Sequence, residues 1–398
     1  MQDTALSLLV VRLYASPDEA ARWLGAISFV PLIPLVPFAL IGGSLVDRFP
    51  RRTLVLVTQS VMMLQAFLLF ALTASGAVNI WHILLLLIVL GMANAIDIPA
   101  RQTLVIEMVG GSKEDLSGAI ALNSSIFNLG RAVGPAVAGV IVAAVGEADA
   151  FLLNGLSFVA VLIGLLLMRL PPRAIEQRRP RLGQHLTDGF RYIRQEKTVS
   201  ILLSLIAVTA FLAMPFTRLL PLFAKYRLAD SATPLTALAC SHIQCVTPEA
   251  LTLGLLNACF GFGALAGALG VASWVEERGR GRILTIGSVG FPVALLLFAL
   301  SQSIWLSFGL LFLVGVGWVL QTSLTNTLLQ LTAPDNLRGR VMSVYSMMFQ
   351  GMFRVGSMAA GLIAAALGPP VAVGLVGLLA LTYGVYVAVR WPRIHRLA

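Results

Sequence analysis

A short charged turn between two long apolar runs carries residue types suited to ionic contacts between helix ends. Within residues 43–52 it holds one glycine, one acid and three arginines: Gly43, Asp47, Arg48, Arg51 and Arg52. A carboxylate at the edge of a membrane can accept hydrogen bonds from the N-terminus of a neighbouring helix. A charge at membrane depth costs roughly 2.5–3.5 kcal/mol, so we expect the acid to have a partner or a function. The simpler interpretation is a loop whose arginines only mark the cytoplasmic face.

Charged residues also fall inside apolar segments, where a charge must face a protein interior or a water-filled cavity. Arg131 and Arg354 occupy near-equivalent places in two similar stretches of the chain. They could hold an anionic group of a ligand, or they could pair with the acids Asp47 and Glu107. Asp3 is the one acid in the first apolar run and could carry a proton. The alternative for Asp3 is an exposed residue at the end of the chain.

Polar residues are otherwise sparse in the apolar segments. We expect the amides Asn123, Asn128, Gln321, Asn326, Gln330 and Gln350 to be the polar residues of a central cavity that is otherwise apolar. A cavity this apolar suits an amphipathic or lipophilic organic molecule better than a sugar, which needs more hydrogen-bond partners. No G-x4-G-K-[ST] loop, hydrolytic or redox constellation, or Cys/His zinc pattern is present in the sequence. We therefore expect a small-molecule ligand, no cofactor, no metal and no enzymatic activity.

The three cysteines are too few for a disulfide scaffold. Cys240 and Cys245 share one loop, roughly 226–249, that we place outside the cell, where the environment is oxidising. We predict a disulfide between them. Cys259 lies within an apolar run and is expected to act as a small apolar residue.

The composition excludes an ordinary soluble domain. Hydrophobic residues make up 58% and charged residues 12% of the 398 residues, and the mean hydropathy is +0.89. Because a membrane-spanning helix needs roughly 20 apolar residues, the chain divides into twelve spans. Their approximate limits are 1–15, 21–46, 53–75, 80–100, 118–145, 149–169, 198–224, 250–274, 283–301, 304–331, 341–367 and 370–390. Span 1 is shorter than its counterpart span 7, so we expect it to be truncated at its N-terminus.

The positive charge is distributed unequally between the loops. The net charge is +10, which could suggest nucleic acid, but 21 of the 28 lysines and arginines lie on the side where even-numbered spans end. An excess of Lys and Arg marks the cytoplasmic face. We therefore expect a multi-pass protein of a bacterial inner membrane with a cytoplasmic C-terminus, no nucleic-acid partner, and the lipid bilayer as its surroundings.

The chain repeats itself at an offset of about 222 residues. Residues 134–139 resemble residues 356–361, and residues 79–82 resemble 303–306. Duplicated six-helix halves are a common plan for transporters. We divide the chain into an N-terminal bundle, 1–169, a cytoplasmic linker, 170–197, and a C-terminal bundle, 198–398. Within the linker, apolar residues at helical spacing predict an amphipathic helix on the inner surface.

These motifs give the chain a family resemblance. Residues 43–52 resemble G-x-L-a-D-R-x-G-R-R, the signature between helices 2 and 3 of the major facilitator superfamily, with Pro50 in place of the usual glycine. Span 5 resembles the G-x3-G-P-x2-G-G antiporter motif, with Ala138 in place of one glycine. Its matching residues are Gly130, Arg131, Gly134, Pro135 and Gly139. Segments 97–102, 122–125, 151–154 and 188–193 resemble the enterobactin-exporter and macrolide-efflux branch, the transmembrane secretion effectors.

The resemblance implies an all-α membrane protein with the major facilitator fold of two six-helix bundles. It also implies monomeric export of a drug-like or siderophore-like compound by alternating access and proton antiport. In that family the acid at Asp47 contacts helix 11 and locks the outward-open state, and Arg51 bridges to the acid at the place of Asp97. Asn123 and Gln350, with Asp3 and Arg354, are candidate cavity or coupling residues.

Two other functions fit the same sequence. A lipid transporter or flippase would also suit an apolar cavity. A membrane scaffold or receptor that kept the fold without transporting is the second alternative, although the presence of Asp47 and Arg51 argues against loss of the gate.

Overall fold

The structure is a computed structural model. It describes residues 1–35, 37–38, 45, 48–108, 113–168, 192–243 and 245–391. Every regular element in these ranges is a helix. The predicted all-α fold class is therefore confirmed. The residues Gly43 and Asp47 of the charged turn, and residues 169–191 of the linker, lie outside the described ranges.

Five α-helical elements have defined bounds within the described residues of the N-terminal half. They are α1 Gln2–Leu13, α2 Pro17–Phe29, α3 Arg51–Ala74, α4 Ile80–Met108 and α5 Lys113–Leu167. The element α5 contains the predicted spans 5 and 6 as two arms. The arms meet at Gly146, whose φ of 82° and ψ of 175° are not helical.

The C-terminal half begins with a segmented helix and continues with five longer elements and one short helix between spans. The segmented helix consists of α6 Lys197–Leu212, α7 Phe216–Leu222 and a π-helical turn, Phe223–Arg227. The others are α8 Ala229–Ile243, α9 Pro248–Arg278, α10 Arg280–Leu300, α11 Ile304–Thr332, α12 Asp335–Leu367 and α13 Pro369–Arg390.

Local sequence explains where several helices begin and end. Ser16 accepts a hydrogen bond from the backbone N–H of Asp18 at the start of α2, and Pro17 takes the first helical position. Gly146 and Gly368 stand at matching places in the repeat and both have a positive φ, 82° and 84°. A residue without Cβ adopts this conformation at little cost, so each glycine separates the two last helices of its half.

Nine helices in the described ranges are long and apolar enough to cross a membrane. The twelve predicted spans are not all among them. The twelve-residue α1 is too short by this measure, span 2 includes residues outside the described ranges, and spans 5 and 6 fall in one element. Large apolar side chains are exposed along the helices, including Trp81 at 69% and Trp305 at 67%. Apolar surface of this kind suits contact with lipid, and both tryptophans lie at helix ends where indole favours the interface.

The two halves meet at one end of the bundle, which we call the α8 side. There α2 packs against α12, and α5 packs against α9. Towards the opposite side, a Cβ added to Gly130 or Gly134 of α5, or to Gly339 or Gly351 of α12, would meet nothing within 4 Å. The parts of these two helices that lie away from the α8 side therefore face open space among the described residues.

Candidate functional site

The α8 side is closed by two crossings at which glycine lies against glycine. Gly139 of α5 is buried against Gly254 of α9. A Cβ on Gly139 would overlap Cα of Gly254 and would lie 2.7 Å from its backbone nitrogen and 2.8 Å from the carbonyl oxygen of Ala250. Only a residue without a side chain permits this approach.

The second crossing repeats the first in the other pair of helices. A Cβ on Gly361 of α12 would lie 2.8 Å from Cα of Gly25 in α2 and 2.6 Å from the carbonyl oxygen of Ala21. Gly361 and Gly139 are separated by the offset of the sequence repeat. Two symmetry-related crossings thus join the N-terminal and C-terminal halves. Span 5 of the N-terminal half takes part in one crossing, and span 11 of the C-terminal half takes part in the other.

The antiporter-like motif of span 5 is divided between these two environments. Its last glycine, Gly139, makes the crossing, whereas Gly130 and Gly134 contact no neighbouring helix within the described ranges. Close packing with a neighbouring helix is therefore confined to the last glycine of the motif within the described residues. Pro135 lies within α5, and the described break in the helix is at Gly146 rather than at the proline. The side chains of Arg131 and Asn123 lie outside the described residues.

A charged pair joins the first turn of α1, in the N-terminal half, to the short helix α7 in the C-terminal half. Oδ2 of Asp3 in α1 lies 2.5 Å from Nη1 of Arg218 in α7. The guanidinium of Arg218 also lies 5.4 Å from the ring centre of Phe353 in α12. The Asp3 side chain is 68% exposed, while that of Arg218 is 20% exposed. Asp3 therefore faces solvent-accessible space between the halves.

Arg354 stands next to Phe353 on α12 and also contacts the N-terminal half. Its Nη1 donates a hydrogen bond of 3.2 Å to the carbonyl oxygen of Ser28, near the C-terminal end of α2. A cation is favoured at this end of a helix. Arg354 interacts electrostatically with both Asp3 and Arg218. The alternative pairing of Arg131 and Arg354 with Asp47 and Glu107 involves side chains outside the described residues and stays a prediction. Gln350, one turn away, is exposed on α12.

A chain of side-chain amides runs beside the charged pair. Asn154 donates to Oε1 of Gln2 at 3.0 Å, and Gln2 donates to Oε1 of Gln65 at 2.9 Å. Gln65 is 1% exposed, and its own Nε2 has no acceptor among the described residues. Nothing in the sequence around these three amides distinguishes them. Their contact joins three separate helices, so no local spacing could have revealed it.

An aromatic row on α12 leads from the open side towards the charged pair. Tyr345, Phe349 and Phe353 follow one another at intervals of four residues and therefore share a face of the helix. All three are half-buried. The rings of Tyr345 and Phe349 stack with centres 6.3 Å apart, and Phe349 stacks on Trp318 of α11 at 5.7 Å.

The cysteine loop is tied to the crossing of α5 and α9. Cys240 and Cys245 form a disulfide with a Cα–Cα distance of 4.9 Å. Directly after it, the N–H of Val246 donates to the carbonyl oxygen of Ala143 at 2.7 Å, and Oγ1 of Thr247 donates to that of Val142 at 2.8 Å. These are carbonyls at the end of the first arm of α5, so the loop caps that arm.

The described arginines of the charged turn have different surroundings. Arg48 is exposed, and Arg51 begins α3 in a half-buried position. Arg52 donates from Nε to the carbonyl oxygen of Leu165 at 2.7 Å and from Nη2 to that of Leu166 at 2.6 Å. It therefore caps the C-terminal end of α5, a role favoured for a cation. Contacts of Asp47 lie outside the described residues, so its predicted gate role stays a prediction.

Asp97 is held by partners other than the one we expected. Its side chain is 4% exposed and pairs with Nη2 of Arg101 at 2.6 Å, one turn along α4. The same carboxylate accepts hydrogen bonds of 2.8 Å from Thr58 and from Gln59 of α3. The structure thus pairs Asp97 with Arg101, and the bridge from Arg51 inferred from the family stays a prediction. The i,i+4 spacing of Asp97 and Arg101 brings them together on one helix face without help from another segment.

No group of three or more His, Cys, Asp or Glu side chains in the described part of the chain could hold a metal ion.

Comparisons with known proteins agree with this arrangement. The family model described as transmembrane secretion effector matches residues 1–396. The multidrug efflux pump Tap of Mycolicibacterium fortuitum is 26% identical over 373 residues, 92% of this chain and 86% of that protein. The enterobactin exporter EntS of Salmonella paratyphi A is 25% identical over 310 residues, 77% of this chain and 69% of that protein.

A solved structure has the same fold. A mutant form of the nucleoside transporter NupG superposes with a TM-score of 0.73, covering 98% of this chain and 95% of its own. The two sequences are 13% identical, so the likeness concerns the fold alone.

Proposed function

The chain belongs to the transmembrane secretion effector family of the major facilitator superfamily, and on that premise we propose that it exports an amphipathic or lipophilic organic compound in exchange for protons. The family and its relatives make it a multi-pass membrane transporter of the efflux type and not an enzyme. The compound, the coupling to protons and the monomeric state are the proposed parts.

The contacts between the two halves carry this proposal. The halves are joined at the α8 side by the crossings of Gly139 with Gly254 and of Gly25 with Gly361. Away from that side, α5 and α12 face open space among the described residues. Alternating access requires such a site to open to one side at a time. The excess of Lys and Arg on the opposite side supports an orientation in which the α8 side lies outside the cell. The structure is then a state open to the cytoplasm, from which an exporter takes up its cargo.

The chemistry of the space between the halves supports an amphipathic cargo. Half-buried aromatic side chains line α12, and a small set of polar groups lies at one place, around Asp3 and Arg218. A mostly apolar site with a few placed polar groups binds organic molecules of this kind. The relatives named above are a multidrug pump and an enterobactin exporter, which supports a drug-like or siderophore-like cargo.

The proposal is tested by measuring efflux of a panel of dyes, macrolides and siderophores from cells that express the full chain. We expect efflux of at least one compound to exceed that of cells with empty vector and to stop when an uncoupler is added. Efflux that continues unchanged with the uncoupler would contradict proton exchange. If no organic compound moves but fluorescent lipids cross the bilayer of reconstituted vesicles, the lipid-transporter alternative replaces the proposal.

A further inference from the structure

We propose that the site between the two halves binds the anionic group of an aromatic organic acid on Arg218 and Arg354, and that Asp3 is the internal counter-ion which this anion displaces. The inference rests on the proposed function, since it names the substrate class of the same site. It concerns recognition, so it can be tested by binding even where transport is not observed.

Positive charge exceeds negative charge among the described residues of this site. Among the described residues around this place, two guanidinium groups, Arg218 and Arg354, face one carboxylate, Asp3. Uncompensated charge at membrane depth is expensive, and such residues mark ligand pathways. An anionic ligand would neutralise the second arginine. A guanidinium also matches a carboxylate geometrically, because two parallel N–H groups can bind its two oxygens.

Two buried hydrogen-bond donors near the charged pair lack acceptors among the described residues. Within the described part of the chain, the buried Nε of Arg218 has no acceptor, and neither has Nε2 of Gln65. The amide chain from Asn154 through Gln2 to Gln65 donates in one direction, and its last hydrogen bond is accepted by Oε1 of Gln65, which leaves Nε2 of Gln65 as the donor at its end. Buried donors without acceptors are costly. The groups left unsatisfied here are donors, and a ligand rich in acceptor oxygens would satisfy them.

The aromatic row on α12 offers a surface for the apolar body of the ligand. The row Tyr345, Phe349 and Phe353 on α12 extends from the open side to the ring on which Arg218 lies. Half-buried aromatic faces at this spacing offer stacking surface to a flat apolar body. A ligand with an aromatic body and an acidic head would place both parts at once.

The exposed position of Asp3 explains how the anion would enter. The Asp3 side chain is 68% exposed and can leave Arg218 without disturbing a packed core. Asp3 and the ligand anion would then compete for the same cation. Protonating Asp3 therefore strengthens binding of the anion, so the proton exchange of the proposed function takes place at another acid. Outward movement of one negative charge is favoured about fiftyfold per 100 mV by a membrane potential that is negative inside.

The experiment compares three probes that share one aromatic body and differ in the head group. They are 1-pyrenebutyrate, the neutral 1-pyrenebutanol and the cationic pyrenebutyl-trimethylammonium. Binding to the full chain in nanodiscs is measured by equilibrium dialysis, with empty nanodiscs subtracted. We expect the butyrate to bind at least tenfold more tightly than the other two, since a hydrogen bond to a charged group is worth about that much.

Variants of the charged residues should act in opposite directions. Arg354→Gln should weaken butyrate binding about tenfold or more and leave butanol binding unchanged. Asp3→Asn should strengthen butyrate binding, because the internal competitor is lost. Phe349→Ala should weaken all three probes equally. Arg12→Gln is the matched control: it removes an arginine that pairs with Glu147 at the α8 side, and it should leave the preference for the anion unchanged.

Each result decides one question. Equal binding of the three probes, or weaker butyrate binding in Asp3→Asn, would overturn the anion site, because a purely structural pair predicts a loss in both charge variants. If the butyrate binds selectively but no probe is transported in vesicles under any gradient, the site stands and the proposed export function fails. If cationic probes are exported in preference, export stands and the anion site is wrong.

Discussion

Gly139 of α5 and Gly254 of α9 lie backbone against backbone, and this contact joins the two halves of the protein on the α8 side. Gly139→Ala should therefore disfavour the state described here. Adding one methyl group to a well-packed contact costs typically 1–3 kcal/mol, which corresponds to a shift of about 5- to 150-fold between two states. We expect the α8 side to open, with a longer distance between spin labels placed near Gly146, where the first arm of α5 ends, and near the N-terminal end of α9.

Gly134→Ala is the matched control for this change. It adds the same methyl group to the same helix at a place where nothing lies within 4 Å. The distance distribution should not change, and export should persist. Equal effects of the two substitutions would mean that the glycine contact is not what holds the halves together.

The crossing of Gly361 with Gly25 predicts a second, equivalent effect. A Cβ on Gly361 would lie 2.8 Å from Cα of Gly25, so Gly361→Ala should also open the α8 side, by a shift of similar size. Because both crossings separate in one movement and share no contact, the two free-energy changes should add in the double variant with Gly139→Ala. A variant in which only one of the two helix pairs moves apart in distance measurements would show that the crossings open independently.

The orientation of the chain predicts different access to two introduced cysteines. Ala237 is exposed on α8, and Thr53 is exposed near the start of α3. In a Cys259→Ala background, a membrane-impermeant maleimide should label Ala237→Cys in intact cells and Thr53→Cys only after the cells are opened. Cys240 and Cys245 are already joined and should not react. The reverse pattern would place the α8 side in the cytoplasm and make the described state open to the outside.

The disulfide of the α8 loop should stabilise the protein by holding the segment that caps α5. Cys240→Ser is expected to lower the free energy of unfolding by about 2 kcal/mol, the loop-closure value for a short bridge. Loss of the hydrogen bonds from Val246 and Thr247 to α5 should add to this. Thermal unfolding with and without reductant measures it. Cys259→Ala, which removes the unpaired thiol, should leave the response to reductant unchanged.

Features with a local cause could be predicted from the sequence. The helices follow from long apolar runs, the repeat from similar segments, and the position of Gly146 and Gly368 between spans from the same offset. Gly139 was identified within a glycine motif. The sequence did not show that Gly130 and Gly134 would face open space, because that depends on which state of the two halves is described.

Contacts between distant segments could not be predicted. Arg218 and Asp3 lie in different halves, and nothing in the spacing near Arg218 indicates a partner more than two hundred residues away. The amides of Gln2 and Asn154 meet for the same reason. Arg101 is a different case, because its i,i+4 relation to Asp97 was visible in the sequence, yet the family resemblance directed attention to Arg51.

The partners of Asp97 lead to the last prediction. Asp97→Asn keeps the shape of the side chain but removes the charge that Arg101, Thr58 and Gln59 bind. Because the carboxylate is buried and its hydrogen bonds are charge-assisted, the loss should lower the free energy of unfolding by about 1.5–3 kcal/mol. Arg101→Gln should cost less, about 0.2–1 kcal/mol, since the Arg101 side chain is 53% exposed.

A double-mutant cycle then separates the two proposed partners of Asp97. The structure predicts a coupling energy of at least 0.5 kcal/mol between Asp97→Asn and Arg101→Gln, and a smaller one between Asp97→Asn and Arg51→Ala. Denaturation of the purified single and double variants measures both couplings under one condition. A larger coupling with Arg51 would restore the relay inferred from the family motif in the state that is most populated in solution. Strong coupling with Arg101 alone would instead show that Asp97 ties α4 to α3 and lies outside the gate of the charged turn.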